Sequence, residues 1–477
     1  MSFSDCQTPL DYFKELCRVP HGSGNEKALS DRILSFAREL GLWAEQDEHY
    51  NVLVKKPASK GREGSDPVLL QAHIDMVCDK RGDVVFDFNA DPLNVKIEGD
   101  FIKADGTSLG ADNGAGEAIM LAALAGDYDH PPIEALFTVD EEIGMTGAKK
   151  LDAANIRSRR VINLDSENDD VIIAGCSGGA LSLIKIRTTT FPANGLARAR
   201  MEINGLRGGH SGINIKDGRA NANILAARAL SKLIEETGAS FYGLNGGSKD
   251  NAIPRECSAF IYFPKEREEA VRGVLSRAEE RFSKEFREDK DVKINFELAP
   301  AGDEDEALAF TEETAEKVLA SILLPPNGVI DMRGDFVETS CNVGVARTEN
   351  GLFTATLAPR SSVNSKIGFI TDKLRLLAKT LGGELEVYNE YPSWEYRENS
   401  PLRDTAAVAY KDLYGEEPSA EIIHAGLECA VFGEKLENAD MISLGPNITG
   451  AHSPDERLSL SSLERTWEYT LELLKRL

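Results

Sequence analysis

Three short apolar runs in the first part of the chain, Val68 to Ala72, Ile133 to Val139 and Arg160 to Leu164, each stop at a loop that opens with imidazole or carboxylate side chains. Short runs without polar alternation do not describe strands with one wet face. They describe strands covered on both sides, as in a sheet packed between helices. The spacing between the runs predicts those helices. Asn25 to Leu40 carries Leu29, Ile33, Leu34 and Phe36 near helical spacing, and Asp112 to Leu124 opens on an aspartate suited to N-capping. The expected fold class is therefore α/β, a central twisted sheet flanked by helices. Such sheets carry their sites in loops beyond the carboxyl ends of the strands. His73, Asp75, Asp140, Glu141, Glu142 and Asp165 all fall there.

From about residue 185 the texture changes. Alternating strands at Leu181 to Arg187 and Cys257 to Phe263 flank longer helical stretches at Asn221 to Glu236 and Lys265 to Phe286, and acidic loop material follows around Gly302 to Glu306. From Pro392 the chain returns to apolar runs and loops, now carrying His424 and His452. An α+β domain at 185–391, inserted into a domain built from 1–184 and 392–477, accounts for candidate site residues at both ends of the chain. No internal repeat or low-complexity tract is evident.

Charge narrows the function classes. Lys plus Arg number 54 against 79 Asp plus Glu, a net charge of −25 over 477 residues. So acidic a surface repels phosphate backbones and anionic headgroups, which argues against nucleic-acid and membrane partners. No apolar run reaches the roughly 18–20 residues of a spanning helix. The opening MSFSDCQTPLDYF lacks the basic-then-apolar order of a signal peptide. Seven cysteines, scattered without a C-x-x-C pair, fit reduced thiols, and the expected location is cytoplasmic.

His73, Asp112, Glu142, Asp165 and His452 stand in the segments QAHID, SLGADNGAG, TVDEEIG, INLDSE and ITGAHSP, all rich in glycine or small residues. Imidazole with carboxylate suits zinc, cobalt or manganese, and two histidines with three carboxylates can hold two ions if one carboxylate bridges them. Asp75, two residues after His73, is placed to accept the other ring N–H and fix the tautomer. Glu141 and Glu142 are adjacent, so one can ligate a metal while the other faces a bound water. Hydrolysis of an unactivated amide demands a general base in that position. Taken singly, each residue has an ordinary reading: a helix cap for Asp112, a solvated acidic run for Asp140 to Glu142. The combination at strand ends carries the argument. Gly175-Cys-Ser-Gly-Gly reads as a turn, since it lacks the spacing of a phosphate loop. His21, His49 and His130 read as structural or surface residues.

HID at 73–75, GADNG at 110–114, DEEIG at 140–144, LDSE at 164–167 and GAHSPDE at 450–456 follow one another as in the dinuclear zinc peptidases of the M20 family. The chain most resembles the aminoacyl-histidine (Xaa-His) dipeptidase branch, with ADGTSLGADNGAG, GGHSGINI, NAIPRE and HAGLEC as further matches from end to end. The resemblance implies a zinc-peptidase α/β domain split by a lid domain, and metal-dependent hydrolysis of dipeptides. By motif, His73 and Asp165 would hold one ion, Glu142 and His452 the other, with Asp112 bridging. The ions would be two divalent metals, with Zn2+ foremost and Co2+ or Mn2+ as alternatives. Glu141 matches the general base, Asp75 the carboxylate that orients His73, and His210 a residue that stabilises the oxyanion. Arg360, in APRSS, can pair with the free carboxylate of a dipeptide, and His424 joins it as a substrate-binding candidate in HAGLEC. Physics alone assigns no role to either His424 or Glu428 in that segment. Small peptides are the expected partners, and a homodimer is compatible with such lids.

An amidohydrolase acting on N-acyl amino acids, or a carboxypeptidase, would use the same metal site. An acidic metal-binding scaffold without catalysis is the alternative from another class, although structural zinc sites tend to be cysteine-rich and closed. A nucleotide-dependent oxidoreductase would rest on the α/β pattern alone, without a dinucleotide fingerprint.

Overall fold

The computed structural model describes residues 3–299 and 307–477, so the acidic segment Gly302 to Glu306 lies outside the described residues. The chain divides into two compact units. One comprises Met1–Cys176, Trp394–Ile423 and Leu427–Leu477; the other comprises Ser177–Ser393 and His424–Gly426.

The first unit is built on an eight-stranded sheet in the order Trp43–Gln46, Val52–Lys56, Ile133–Thr138, Val68–His73, Arg160–Asn163, Asp440–Ser443, Val171–Cys176 and Ser419–Ile423. Val68–His73 runs parallel to both of its neighbours, Ile133–Thr138 and Arg160–Asn163. Val68–His73 and Ile133–Thr138 are buried at every position, as continuous apolar runs require. Because the strands are parallel and in register, His73 lies opposite Thr138, and the loops after both strands open at one end of the sheet. The helices match their patterns to within a few residues: Lys27–Glu39 buries Leu29, Ile33 and Phe36, and Ala111–Ala125 is buried along nearly its whole length.

One expectation at a helix start fails. Asp112 is not the N-cap of its helix. Gly110 occupies that position at φ +67, and Asp112 and Asn113 interrupt the helix with non-helical torsions. The conformation at Gly110 is one that side-chain-bearing residues rarely adopt, and a Cβ there would meet Met76 Sδ at 2.8 Å. Gly116 is required for a different reason: a Cβ would come within 2.4 Å of the Leu164 carbonyl, which is the close approach of helix to strand end. The segment Gly175 to Gly179 is likewise not a turn. It is extended, Val171–Cys176 ending where Gly178–Arg187 begins, at the boundary between the units.

A small four-stranded sheet, Ile448–Thr449, Arg457–Ser459, Phe101–Ala104 and Val95–Glu98, anchors the loop that carries His452. The second unit has a nine-stranded sheet that includes Gly178–Arg187, Ala197–Asn204, Cys257–Phe263, Phe336–Glu349 and Leu352–Ser361. Its helices include Ala222–Thr237, which Asn221 caps by accepting from the Asn223 and Ile224 N–H groups, and Glu268–Glu285.

The sheet of the first unit is the load on which the site loops rest, and Phe137 is fully buried at its centre. Phe137→Ala is expected to lower unfolding free energy by about 3–5 kcal/mol, read as a shift in the denaturant midpoint of the first unit.

Candidate metal centre

His73 ends its strand, and its ring is 1% exposed. Its Nδ1 lies 3.0 Å from the backbone carbonyl of Asp75 and 3.4 Å from the Asp75 carboxylate. A proton on Nδ1 satisfies that carbonyl and leaves the Nε2 lone pair facing outward. Nε2 sits 3.1 Å from Asp112 Oδ1 and 3.3 Å from Asp165 Oδ1. On the other side, His452 Nε2 lies 3.1 Å from Asp112 Oδ2 and 3.0 Å from Glu142 Oε1. The five side chains therefore form one row, Asp165–His73–Asp112–His452–Glu142, with the two oxygens of Asp112 each turned to a different imidazole. Ligand atoms of His73, Asp112 and Glu142 all fall within 4.8 Å of one another.

Two observations show that this set fits divalent cations. Glu142 Oε1 is buried and makes no hydrogen bond, despite its closeness to His452. The donor set is also excessively negative: with Glu141, four carboxylates crowd two imidazoles. The titration directions follow from that crowding. Burial, with the nearby Asp112 carboxylate, raises Asp165. Burial, with Asp165, Glu142 and Glu428, raises Glu141 well above the carboxylate range, against the opposing pull of His73. Hydrogen bonds from His452 and His73 overcome burial at Asp112 and hold it far below that range. His452 is pushed well up by Asp112 and Glu142. Cations of charge two placed among these oxygens would relieve the same repulsion.

The loop geometry behind the row is built by carboxylates that lie outside the row itself. Asp75 Oδ1 accepts from the Glu141 N–H at 2.9 Å, and Oδ2 accepts from the Glu142 N–H at 3.2 Å and the Ser23 hydroxyl at 2.8 Å. Asp75 thus holds the backbone of the Glu141–Glu142 pair as well as flanking His73, a task its position in HID did not reveal. The turn it supports begins at Asp140, a non-glycine residue at φ +59, and His452 is another at φ +63. Strained torsions of this kind cluster where function over-determines the backbone. Glu428, fully buried, accepts from Gln71 Nε2 and the Thr138 hydroxyl, while its Oε1 finds no partner. Burial pushes it up to about 7. It lies beneath the ends of the two strands that present His73 and Glu141. Nothing in the HAGLEC string marks it as buried, because only the tertiary fold brings it under Gln71 and Thr138.

His210, Arg360 and His424 belong to the second unit. His210 Nδ1 accepts from the Gly212 and Ile213 N–H groups at 3.2 Å each, so a neutral ring carries its proton on Nε2. Arg360 donates from Nη1 to the Tyr391 hydroxyl at 2.7 Å, and its Nε is buried without a hydrogen bond. His424 is held between two hydroxyls, Ser177 on Nδ1 at 2.8 Å and Ser340 on Nε2 at 2.7 Å. His21 and His130 are buried, their Nδ1 atoms beside the Val19 and Pro131 carbonyls.

An α/β scaffold that gathers two imidazoles and their carboxylates around a central aspartate, from a parallel strand end, a helix start and a loop of the small sheet, suits metal-dependent hydrolysis. The sequence comparisons name the family. Residues 69–476 match the model of peptidase family M20/M25/M40, and the chain belongs to that family. It is 38% identical over 473 residues to the cytosol non-specific dipeptidase of Escherichia coli K12, covering 98% of this chain and 96% of the relative. Among solved structures it is similar to the aminoacylhistidine dipeptidase of Vibrio alginolyticus, with a TM-score of 0.88, 36% identity and coverage of 98% and 96% of the two chains. The fold also matches the aminopeptidase PepT of Bacillus cereus, at a TM-score of 0.56, 18% identity and coverage of 98% and 97%.

The clamped His424 generates a pH-dependence. Burial first, and then the positive charge of Arg360, lowers it to about 4, against about 6.5 in an unfolded chain. Above about pH 6.5 the ring is neutral in both states. As the pH falls toward about 4 the unfolded chain gains a proton the folded one refuses, so stability is lost across that window. Parent protein is therefore expected to lose more thermal stability than His424→Gln between pH 7 and pH 4, checked by parallel melting curves.

Proposed function

We propose that the chain hydrolyses dipeptides, Xaa-His among them and with broad tolerance, using two divalent ions and Glu141 as general base. The observation that carries this reading is the bridging position of Asp112, with one carboxylate oxygen toward each imidazole and Asp165 and Glu142 on the outer flanks. His73 and Asp165 would hold one ion, Glu142 and His452 the other, and Asp112 both. When bound, the ions, zinc in our reading, supply Lewis acidity to a water and to the scissile carbonyl.

Glu141 then takes a proton from the attacking water on its carboxylate and delivers it to the leaving amine. Its raised proton affinity suits a group that must keep a proton between two steps. Asp75 keeps that carboxylate in place through the backbone N–H groups of Glu141 and Glu142. His210 is assigned to the oxyanion. Support for that role is the tautomer set by Gly212 and Ile213, which leaves Nε2–H as the donor. Arg360 is assigned to the peptide carboxylate, consistent with its unsatisfied buried Nε. His424 is assigned to the wall beside it, since Arg360 is near enough to depress its proton affinity. The domain at 185–391 is assigned the part of a lid. The names of the relatives point to dipeptides as substrates and, for the Escherichia coli protein, to the cytosol; we place this chain there too. No helix among the described residues is long and apolar enough to cross a membrane.

Protein stripped with a chelator is expected to release histidine from Gly-His and β-Ala-His only after zinc is restored. Inertness toward both peptides with zinc bound would favour an N-acyl amino acid hydrolase instead. Glu141→Gln is expected to lower kcat by about 10²–10⁴-fold while binding as much zinc as the parent, measured by steady-state kinetics alongside metal analysis.

A further inference from the structure

Glu456 closes the GAHSPDE segment, four residues after His452. It is 2% exposed, yet it has neither a cationic partner nor a place among the proposed ligands. Its carboxylate instead gathers the backbone of the loop that presents Asp112. Oε2 accepts from the N–H groups of Leu109 and Gly110 at 2.7 and 3.0 Å, and Oε1 from those of Ala111 and Asp112 at 2.8 and 3.3 Å. Four successive N–H groups converging on one carboxylate form an anion cradle, and here a side chain of the protein occupies it.

The geometry gives this contact a mechanical consequence. The Asp112 segment leaves helical torsions at Asp112 and Asn113, so the helix does not set the direction of the Asp112 side chain. The His452 loop is folded on itself, with Ser453 Oγ donating to the Gly450 carbonyl at 2.7 Å and the Glu456 N–H donating to the Ser453 carbonyl at 3.1 Å. Glu456 joins the two segments immediately behind the point where His452 Nε2 meets Asp112 Oδ2. We propose that Glu456 is a positioning residue for the metal centre, which locks the Asp112 loop to the His452 loop so that the bridging carboxylate and its second imidazole stay in register. The inference rests on the reading of Asp112 and His452 as ligands. The role requires a carboxylate. Gln at 456 retains the shape but replaces one oxygen by an NH2 group, which can only point donors at two backbone donors. Asp retains the charge but withdraws it by one methylene.

The test is titration of chelator-stripped protein with Co2+, following the visible ligand-field spectrum and the bound stoichiometry, with a melting curve for each variant. The proteins are the parent, Glu456→Gln, Glu456→Asp and Glu15→Gln. The last removes a buried carboxylate that pairs with Arg18 and Arg32 in the same unit, and so reports what loss of stability alone does. Expected is a Co2+ affinity about 10–100-fold weaker and an altered spectrum for Glu456→Gln and Glu456→Asp, with Glu15→Gln melting lower but binding as the parent does. Should Glu456→Gln not fold, Glu456→Asp decides. Parent-like affinity and spectrum in a folded Glu456 variant would overturn the inference and leave the metal reading intact. Equal weakening in Glu15→Gln would overturn it as well, since the effect would then be one of stability. A parent that takes up no Co2+ would overturn the metal reading itself, and this inference with it.

Discussion

A single carboxylate has to face two imidazoles at once, and much of the first unit is arranged around that demand. Asp112 does so with one oxygen to each ring. The chain answers by breaking the helix where it begins: Gly110 takes a left-handed conformation and Asp112 and Asn113 leave helical torsions. Gly116 then lets the helix approach the Leu164 carbonyl, which brings Asp112 within reach of the strand ends that carry His73 and Asp165. The small sheet through Phe101–Ala104 and Arg457–Ser459 returns the other end of the chain to the same place, and His452 with it.

The acids around this centre divide by what they touch. Asp112, Glu142, Asp165 and Glu141 face one another or the imidazoles, and their mutual repulsion is what a pair of cations would relieve. Asp75 and Glu456 instead spend their charge on backbone N–H groups, two for Asp75 and four for Glu456. A buried carboxylate without such donors would be strongly unfavourable. With them, it becomes a rigid clip between segments far apart in sequence. Glu428 is the intermediate case, with one oxygen satisfied by Gln71 and Thr138 and the other unpartnered. The result is a polar layer under the proposed ligands, and below it the apolar sheet.

All five proposed ligands, the proposed base and the clips behind them lie in the first unit, so the row forms without any contribution from the inserted one. The second unit carries a different set of groups: a His210 whose Nδ1 faces two backbone N–H groups, an Arg360 with an unsatisfied nitrogen, and a His424 held uncharged between two serines.

The apolar runs leading to His73, Glu142 and Asp165 are legible in the sequence because a strand covered on both faces is mostly apolar and shows no polar alternation, even with a buried Gln71 or Glu134 within it. For the same reason the parallel sheet, its helices and the five-residue row could be expected from local texture and motif order. Other features resisted that reading. Asp112 looked like an ordinary N-cap, because a broken helix start and a capped one share the same residue types. Gly175 to Gly179 looked like a turn, since glycine marks close approach as often as reversal. Asp75, Glu428 and Glu456 can be recognised as acids but not as clips, because their partners are backbone N–H groups and side chains brought to them by contacts 52 to 357 residues away in sequence. Local pattern determined which segments are buried and which end in chemistry. Only the tertiary structure decided where each buried charge finds its hydrogen bonds, because satisfaction of a carboxylate is settled by geometry across the chain and leaves no period or spacing in it.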